Sequence, residues 1–255
     1  MEENSSFSHH TTSRTNHMET KPLLSVRDLS VILEGKKLLN GISFSISAHE
    51  VLAIIGPNGA GKSLLLKTLL GIVPHTGGTI AWSPEARIGY LPQRFHVDAY
   101  LPITVKEFLK LKPSSQKDFE DTLRLLPIDA SLLNKKLSHI SSGQLQKILL
   151  TWTLLDKPNI LLFDEPTENV DVVGQESIYN ILHELQDRLG IALIIISHDL
   201  NVVYQYANQV LCLNGTMLCY GEPEEALSGE KLKELYGSHT LFHHNHADKT
   251  RNTTP

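Results

Sequence analysis

Apolar and polar positions alternate along the chain in two distinct rhythms. Leu24 to Leu33 and Ile42 to Ile46 read as β-like segments. Val51-Leu52-Ala53-Ile54-Ile55 has no polar member and runs straight into a Gly-rich stretch, the pattern of a strand buried on both faces. Ile160 to Phe163 and Ile191 to Ile196 repeat it. Helix-like segments follow these strands at Gly61 to about Leu70, Val172 to Arg188 and Leu200 to Ala207. This alternation predicts a parallel α/β core. From about Arg94 to Leu155 the rhythm changes to helices, Val105 to Leu111, Lys117 to Leu126 and Gly143 to Leu155, broken by Pro102, Pro113 and Pro127. That stretch, about 94–155, is expected to be a helical subdomain inserted into the core, and there is no internal repeat.

Both ends lack apolar periodicity and are rich in Ser, Thr, Asn and His, so 1–22 and 237–255 are expected to be flexible tails around a folded domain of 23–236. With 255 residues, 41% of them hydrophobic, the chain can bury a full core. No apolar run approaches the roughly 20 residues that span a bilayer, and the polar start lacks the apolar centre of a secretory signal. The chain is therefore expected to stay in the cytoplasm and to need a partner for any membrane role. A net charge of -5 and a pI near 6.2 offer no overall basic field, which argues against nucleic acid as a partner. Cys212 and Cys219 are too few for a disulfide framework and match no zinc spacing, so both are expected to be reduced and structural.

The chemistry concentrates at strand ends. Gly56-Pro57-Asn58-Gly59-Ala60-Gly61-Lys62-Ser63 fits G-x-x-x-x-G-K-[ST] between a buried strand and a helix. Glycines there let backbone N–H groups turn inward around phosphates, and the helix start adds its positive dipole end. Lys62 then reaches the β/γ oxygens and Ser63 can ligate Mg2+. Ile160 to Phe163 delivers Asp164 and Glu165 at its C-terminal end. Asp164 suits the water shell of Mg2+, and Glu165 suits a general base that polarises the attacking water.

In chain order, the phosphate loop, Gln93 after Gly89-Tyr90-Leu91-Pro92, Ser141-Ser142-Gly143-Gln144, Asp164-Glu165-Pro166, Asp171 and His198 resemble the ABC transporter ATPases over about residues 24 to 236. The resemblance implies a P-loop NTPase core of the ABC ATPase type with an antiparallel β edge and an inserted helical subdomain. It implies ATP and Mg2+ as cofactors, a homodimer of ATPase subunits, an integral membrane permease and an extracytoplasmic metal-binding protein, periplasmic or surface-held, as partners. The site would lie at the cytoplasmic face of the cell membrane. Ile140 to Gln144 match the family signature, which meets the γ-phosphate held by the other subunit; on the residues alone, Ser141 to Gly143 read equally as a plain helix N-cap. His198 resembles the histidine that contacts the γ-phosphate, Gln93 the residue that senses Mg2+ and nucleotide, and Asp171 the aspartate that crosses the dimer interface.

Three departures stand out. Ser142 replaces the usual signature glycine, adding a Cβ where backbone and phosphate approach closely. Leu33 stands in the segment where relatives offer an aromatic ring to adenine, which predicts looser base binding. The signature helix continues Lys147-Ile148-Leu149-Leu150-Thr151-Trp152, without the arginines of many relatives. Arg87 to Gln93, Leu101 to Val105, Asp164 to Gln175 and Val210 to Asn214 look like the zinc-importer ATPases of bacteria. Manganese or iron importers are the alternative within transport; a soluble ABC ATPase outside transport fits one compact cassette less well. His239, His243, His244 and His246 either form a zinc-sensing group or belong to a solvated polar tail.

Overall fold

The computed structural model describes residues 21–93, 95–98, 100–126, 128–165 and 172–237, with backbone alone over 172–177. A nine-stranded sheet runs β4-β1-β2-β9-β8-β3-β7-β6-β5. Its first part is an antiparallel edge. β1 (Leu24–Leu33) and β2 (Lys36–Ile46) form a hairpin whose turn residues Glu34 and Gly35 have φ of 50° and 75°, the pair of positive angles that suits the strands' right-handed twist. β4 (Gly77–Trp82) pairs with the outer side of β1.

The second part is the predicted parallel core. β3 (Val51–Ile55), β7 (Ala192–Ile196), β6 (Ile160–Asp164) and β5 (Ile88–Leu91) all run parallel, joined by β8 (Gln209–Asn214) on the other flank of β3. β9 (Thr216–Gly221) closes an antiparallel hairpin on β8 and meets β2 at Asn40 and Thr216. β3, β6 and β7 are buried throughout because both sheet faces are covered, and alternate side chains serve different cores. Ile160, Leu162, Ile194 and Ile196 join one cluster with Leu65 and Leu66 of α1 (Lys62–Leu69) and the inner face of β1–β2. Leu161, Phe163, Leu193 and Ile195 join another with the helices. Each such side chain contributes about 1.5–3 kcal/mol by leaving water.

The helical segment comprises α2 (Val105–Leu109), α3 (Gln116–Leu125) and α4 (Ser142–Leu154). Serine and threonine caps start all three, Thr104, Ser115 and Ser141, which is why each begins where it does. α5 (Val172–Leu189) and α6 (Leu200–Tyr206) follow β6 and β7, and the short α7 (Pro223–Ala226) and α8 (Gly229–Tyr236) cover β8 and β9.

One sequence expectation is corrected. Cys212 and Cys219 are not reduced thiols but are joined as a disulfide. They are direct cross-strand partners of the β8–β9 pair with Cα atoms 4.8 Å apart, a proximity that their spacing does not reveal.

Candidate functional site

The register of the parallel strands assembles the site. β3, β7 and β6 lie side by side, with Ile54 level with Ile196 and Ile196 level with Asp164. Their C-terminal ends therefore finish in one row, carrying the Gly56–Ser63 loop, Ser197-His198 and Asp164-Glu165. On the far side of β6, Leu91 pairs with Phe163, so Gln93 comes level with Glu165.

The loop depends on its glycines. A Cβ on Gly56 would overlap the carbonyl oxygen of Leu213 in β8, so this strand can approach the loop only because position 56 has no side chain. Gly61 caps α1 at φ 97°, where a Cβ would lie 2.8 Å from Leu39 Cδ2. Lys62 is buried and donates from Nζ to the carbonyls of Gly56 (2.9 Å) and Pro57 (3.1 Å). Burial pulls its ammonium below the ordinary lysine range, while Glu165 and Asp164 oppose that shift. An ammonium has three donors, so one remains for a third partner.

Ser63 Oγ donates to Asp164 Oδ1 at 2.9 Å. Asp164 is 3% exposed, and burial raises its carboxyl above the usual carboxylate range, the Ser63 hydrogen bond working against it. Glu165 sits in the left-handed region at φ 52°, a conformation that costs a non-glycine residue about 1–3 kcal/mol. That backbone turn aims both carboxylate oxygens at neighbours. Oε2 accepts from Gln93 Nε2 at 3.0 Å, and Oε1 lies 2.6 Å from His198 Nε2. With Glu165 as a carboxylate, Nε2 of the imidazole carries the hydrogen. The next residue, Asp199, caps α6 with its carboxylate, which accepts from the N–H groups of Asn201 and Val202.

These groups bound an open cleft of about 710 Å³, lined by Asn58 to Leu64 with Gln93, Glu165 and His198. Leu38 of β2 closes the wall beside the loop and is 38% exposed. Sequence reasoning looked to Leu33 for the contact that an aromatic ring would make, and missed Leu38. The signal was a leucine pair, Leu38-Leu39, in which Leu39 is fully buried and Leu38 faces outward.

The signature residues lie elsewhere. Ser141 caps α4 and forms a reciprocal box with Gln144, Gln144 N–H to Ser141 Oγ at 3.2 Å and Ser141 N–H to Gln144 Oε1 at 3.0 Å. None of Ser141, Ser142, Gly143 or Gln144 lines the cleft. Asp171, His239, His243, His244 and His246 lie outside the described residues. Among the described residues, no helix is long and apolar enough to cross a membrane.

A buried strand, a phosphate-type loop opening a helix, and a serine hydroxyl bonded to an acidic pair define the class of P-loop nucleoside triphosphatases. Residues 39–168 match the ABC transporter family. The zinc import ATP-binding protein ZnuC of Pasteurella multocida is 38% identical over 239 residues, 91% of this chain and 90% of its own length. The chain belongs to the ABC transporter family, as one of its ATPase cassettes. A solved protein assigned to the metal-chelate type of ABC transporter, in an inward-facing conformation, superposes with a TM-score of 0.77 at 26% identity, covering 85% of this chain and 89% of that one. The structure of cbiO1 from Clostridium perfringens, part of the ABC transporter complex cbiONQ, gives 0.69 at 28% identity over 84% and 93%. The expected α/β core with an antiparallel edge and inserted helices is the fold observed.

Proposed function

We propose that this protein binds and hydrolyses ATP to drive import of zinc through a separate membrane permease. The observation that carries the ATPase reading is the meeting of Gln93, Glu165 and His198 beside Lys62, Ser63 and Asp164 at one end of the sheet. Support for zinc is the 38% identity to a zinc import protein along nine-tenths of both chains. Manganese or iron import would use the same cassette and differ only in its partners.

In this reading the backbone from Gly56 to Gly61 cradles the phosphates, and the third Lys62 donor meets the β/γ oxygens. Ser63 and Asp164 offer the hard oxygen donors that Mg2+ prefers, and Gln93 adds an amide oxygen. When bound, that ion would neutralise charge on the β- and γ-phosphates. Glu165 takes a proton from the attacking water, and His198 and Gln93 hold its carboxylate in place. Leu38 supplies an aliphatic surface for the base. Ser141 to Gln144, away from the cleft of their own chain, would complete the cleft of a second copy in a homodimer, with Asp171 at the interface. The cassette would sit on the cytoplasmic face of the membrane, with an extracytoplasmic metal-binding protein delivering the ion.

Reconstitution with its permease in vesicles tests this. ATP should drive uptake of radiolabelled zinc in preference to manganese. Uptake of manganese or iron with no zinc uptake would overturn the substrate, and absence of ATP hydrolysis would overturn the whole reading.

A further inference from the structure

A second cleft, of about 460 Å³, opens at the other end of the sheet, where β5, β6 and β7 begin. The length of β6, about 13 Å for its five residues, separates it from Asp164 and the phosphate loop. α3 forms one wall through Asp118, Asp121 and Leu125. Arg87, the turn at Lys157 and the junction of α5 with β7 form the others. Leu154 and Ile191 are buried in its lining, and Leu189 at its rim is 49% exposed. Both the size and the mixture, apolar side chains with a few placed polar groups, are those of small-molecule sites.

Charge in this lining is unbalanced at one residue. Asp118 is fully engaged, Oδ1 by Lys157 Nζ at 2.6 Å and Oδ2 by the Ser115 hydroxyl at 2.8 Å. Asp121 is turned to Arg124, 3.3 Å away. Arg87 is the cation left without a carboxylate among the described residues. Its Nε donates to the Lys157 carbonyl at 2.7 Å. A guanidinium has five N–H donors in one plane, so four remain on the two Nη groups, and the Nε bond fixes their aim. Lys157 itself is held in the left-handed region at φ 50°, a conformation that a non-glycine residue keeps only where its surroundings impose it. An ordinary surface arginine swings freely in water. This one is tethered beside an aliphatic cleft.

We propose that this cleft binds a small organic carboxylate, its two oxygens on the Nη groups of Arg87 and its aliphatic or aromatic body along Leu125, Leu154, Leu189 and Ile191. A planar carboxylate matches the planar fork of a guanidinium. One unneutralised cation calls for one negative charge, and the second charge of a phosphate would face Asp118 and Asp121. No residue of the phosphate cleft takes part, so the site stands independently of the ATPase reading.

Calorimetric titration of the full chain with octanoate tests this, with octanol and octyl phosphate as comparisons. Octanoate should bind once per chain with a Kd of about 0.1–1 mM, the range open to a ligand of its size. Octanol, which lacks the charge, and octyl phosphate, which carries too much of it, should each bind at least about tenfold more weakly. Arg87→Gln should weaken octanoate at least about tenfold, and Arg87→Lys, which keeps the charge without the fork, should fall between. Leu189→Asp puts a like charge at the rim; because the position is half exposed, this variant decides the matter even where an Arg87 variant folds poorly. It should also weaken octanoate at least about tenfold. A saturating non-hydrolysable ATP analogue should leave octanoate affinity unchanged. No saturable binding up to about 10 mM, equal binding of octanol, or full affinity in folded Arg87→Gln or Leu189→Asp overturns the proposal. Competition by the ATP analogue would place octanoate in the phosphate cleft and overturn it as well.

Discussion

Glu165→Gln isolates the proton-accepting step. The amide keeps the length and branching of the carboxylate, so its oxygen can still accept from Gln93 Nε2, and its NH2 group can donate to His198 Nε2 once the imidazole hydrogen moves to Nδ1. The contacts of Lys62 with Gly56 and Pro57, and of Ser63 with Asp164, do not involve the side chain of Glu165, so nucleotide binding should persist. An amide cannot take the proton of the attacking water. A positioned general base contributes about 10²–10⁴ in rate, so hydrolysis should fall by that factor, about 2.7–5.5 kcal/mol of barrier. Phosphate release and binding of a fluorescent ATP analogue, measured on the same preparation, separate the two effects. The variant should also accumulate as an ATP-bound dimer on a sizing column. Phosphate release within about threefold of the unsubstituted protein would refute Glu165 as the base, and loss of analogue binding would show that it holds nucleotide instead.

Asp164 ties stability to pH in a direction that can be checked. Its carboxyl is raised mainly by burial, so the proton is held more tightly in the folded state; the resulting stability is full below the unfolded value of about 3.9 and is lost as pH rises through the folded value. Asp164→Asn should therefore melt higher than the unsubstituted protein at pH 7, by a margin that shrinks toward pH 4, while hydrolysis drops at least about tenfold. A variant that melts lower at pH 7 would contradict the burial argument. Ser142→Gly removes a Cβ from the first turn of α4 and should leave ATP hydrolysis equal or faster; a large loss of rate would make the hydroxyl a required contact. For the C-terminal histidines, a chain ending at Ser238 should hydrolyse ATP normally in the assembled transporter but lose any response to free Zn2+. That response in the full chain should weaken as pH falls through about 6, because the ligating imidazole is neutral, and identical zinc responses from both chains would end the sensing idea.

What the sequence determined was local. A strand of five apolar residues, a loop of fixed glycine spacing and a helix are contiguous, so their pattern carries their own geometry, and the acidic pair marks where a second apolar strand ends. The helix starts were legible for the same reason: a cap acts within three residues. Less visible were β4, β5, β8 and β9, short strands whose pairing stabilises them more than their composition does. Only the tertiary structure decided that β7 lies between β3 and β6, which brings His198 onto Glu165 and sets Gln93, 72 residues away in sequence, on the other carboxylate oxygen. It also decided the Cys212–Cys219 disulfide, the left-handed turn at Glu165 and the place of Leu38 in the cleft. Strand order and register determine all of these. They arise from burying two faces of one sheet at once, a condition that no short window of sequence contains.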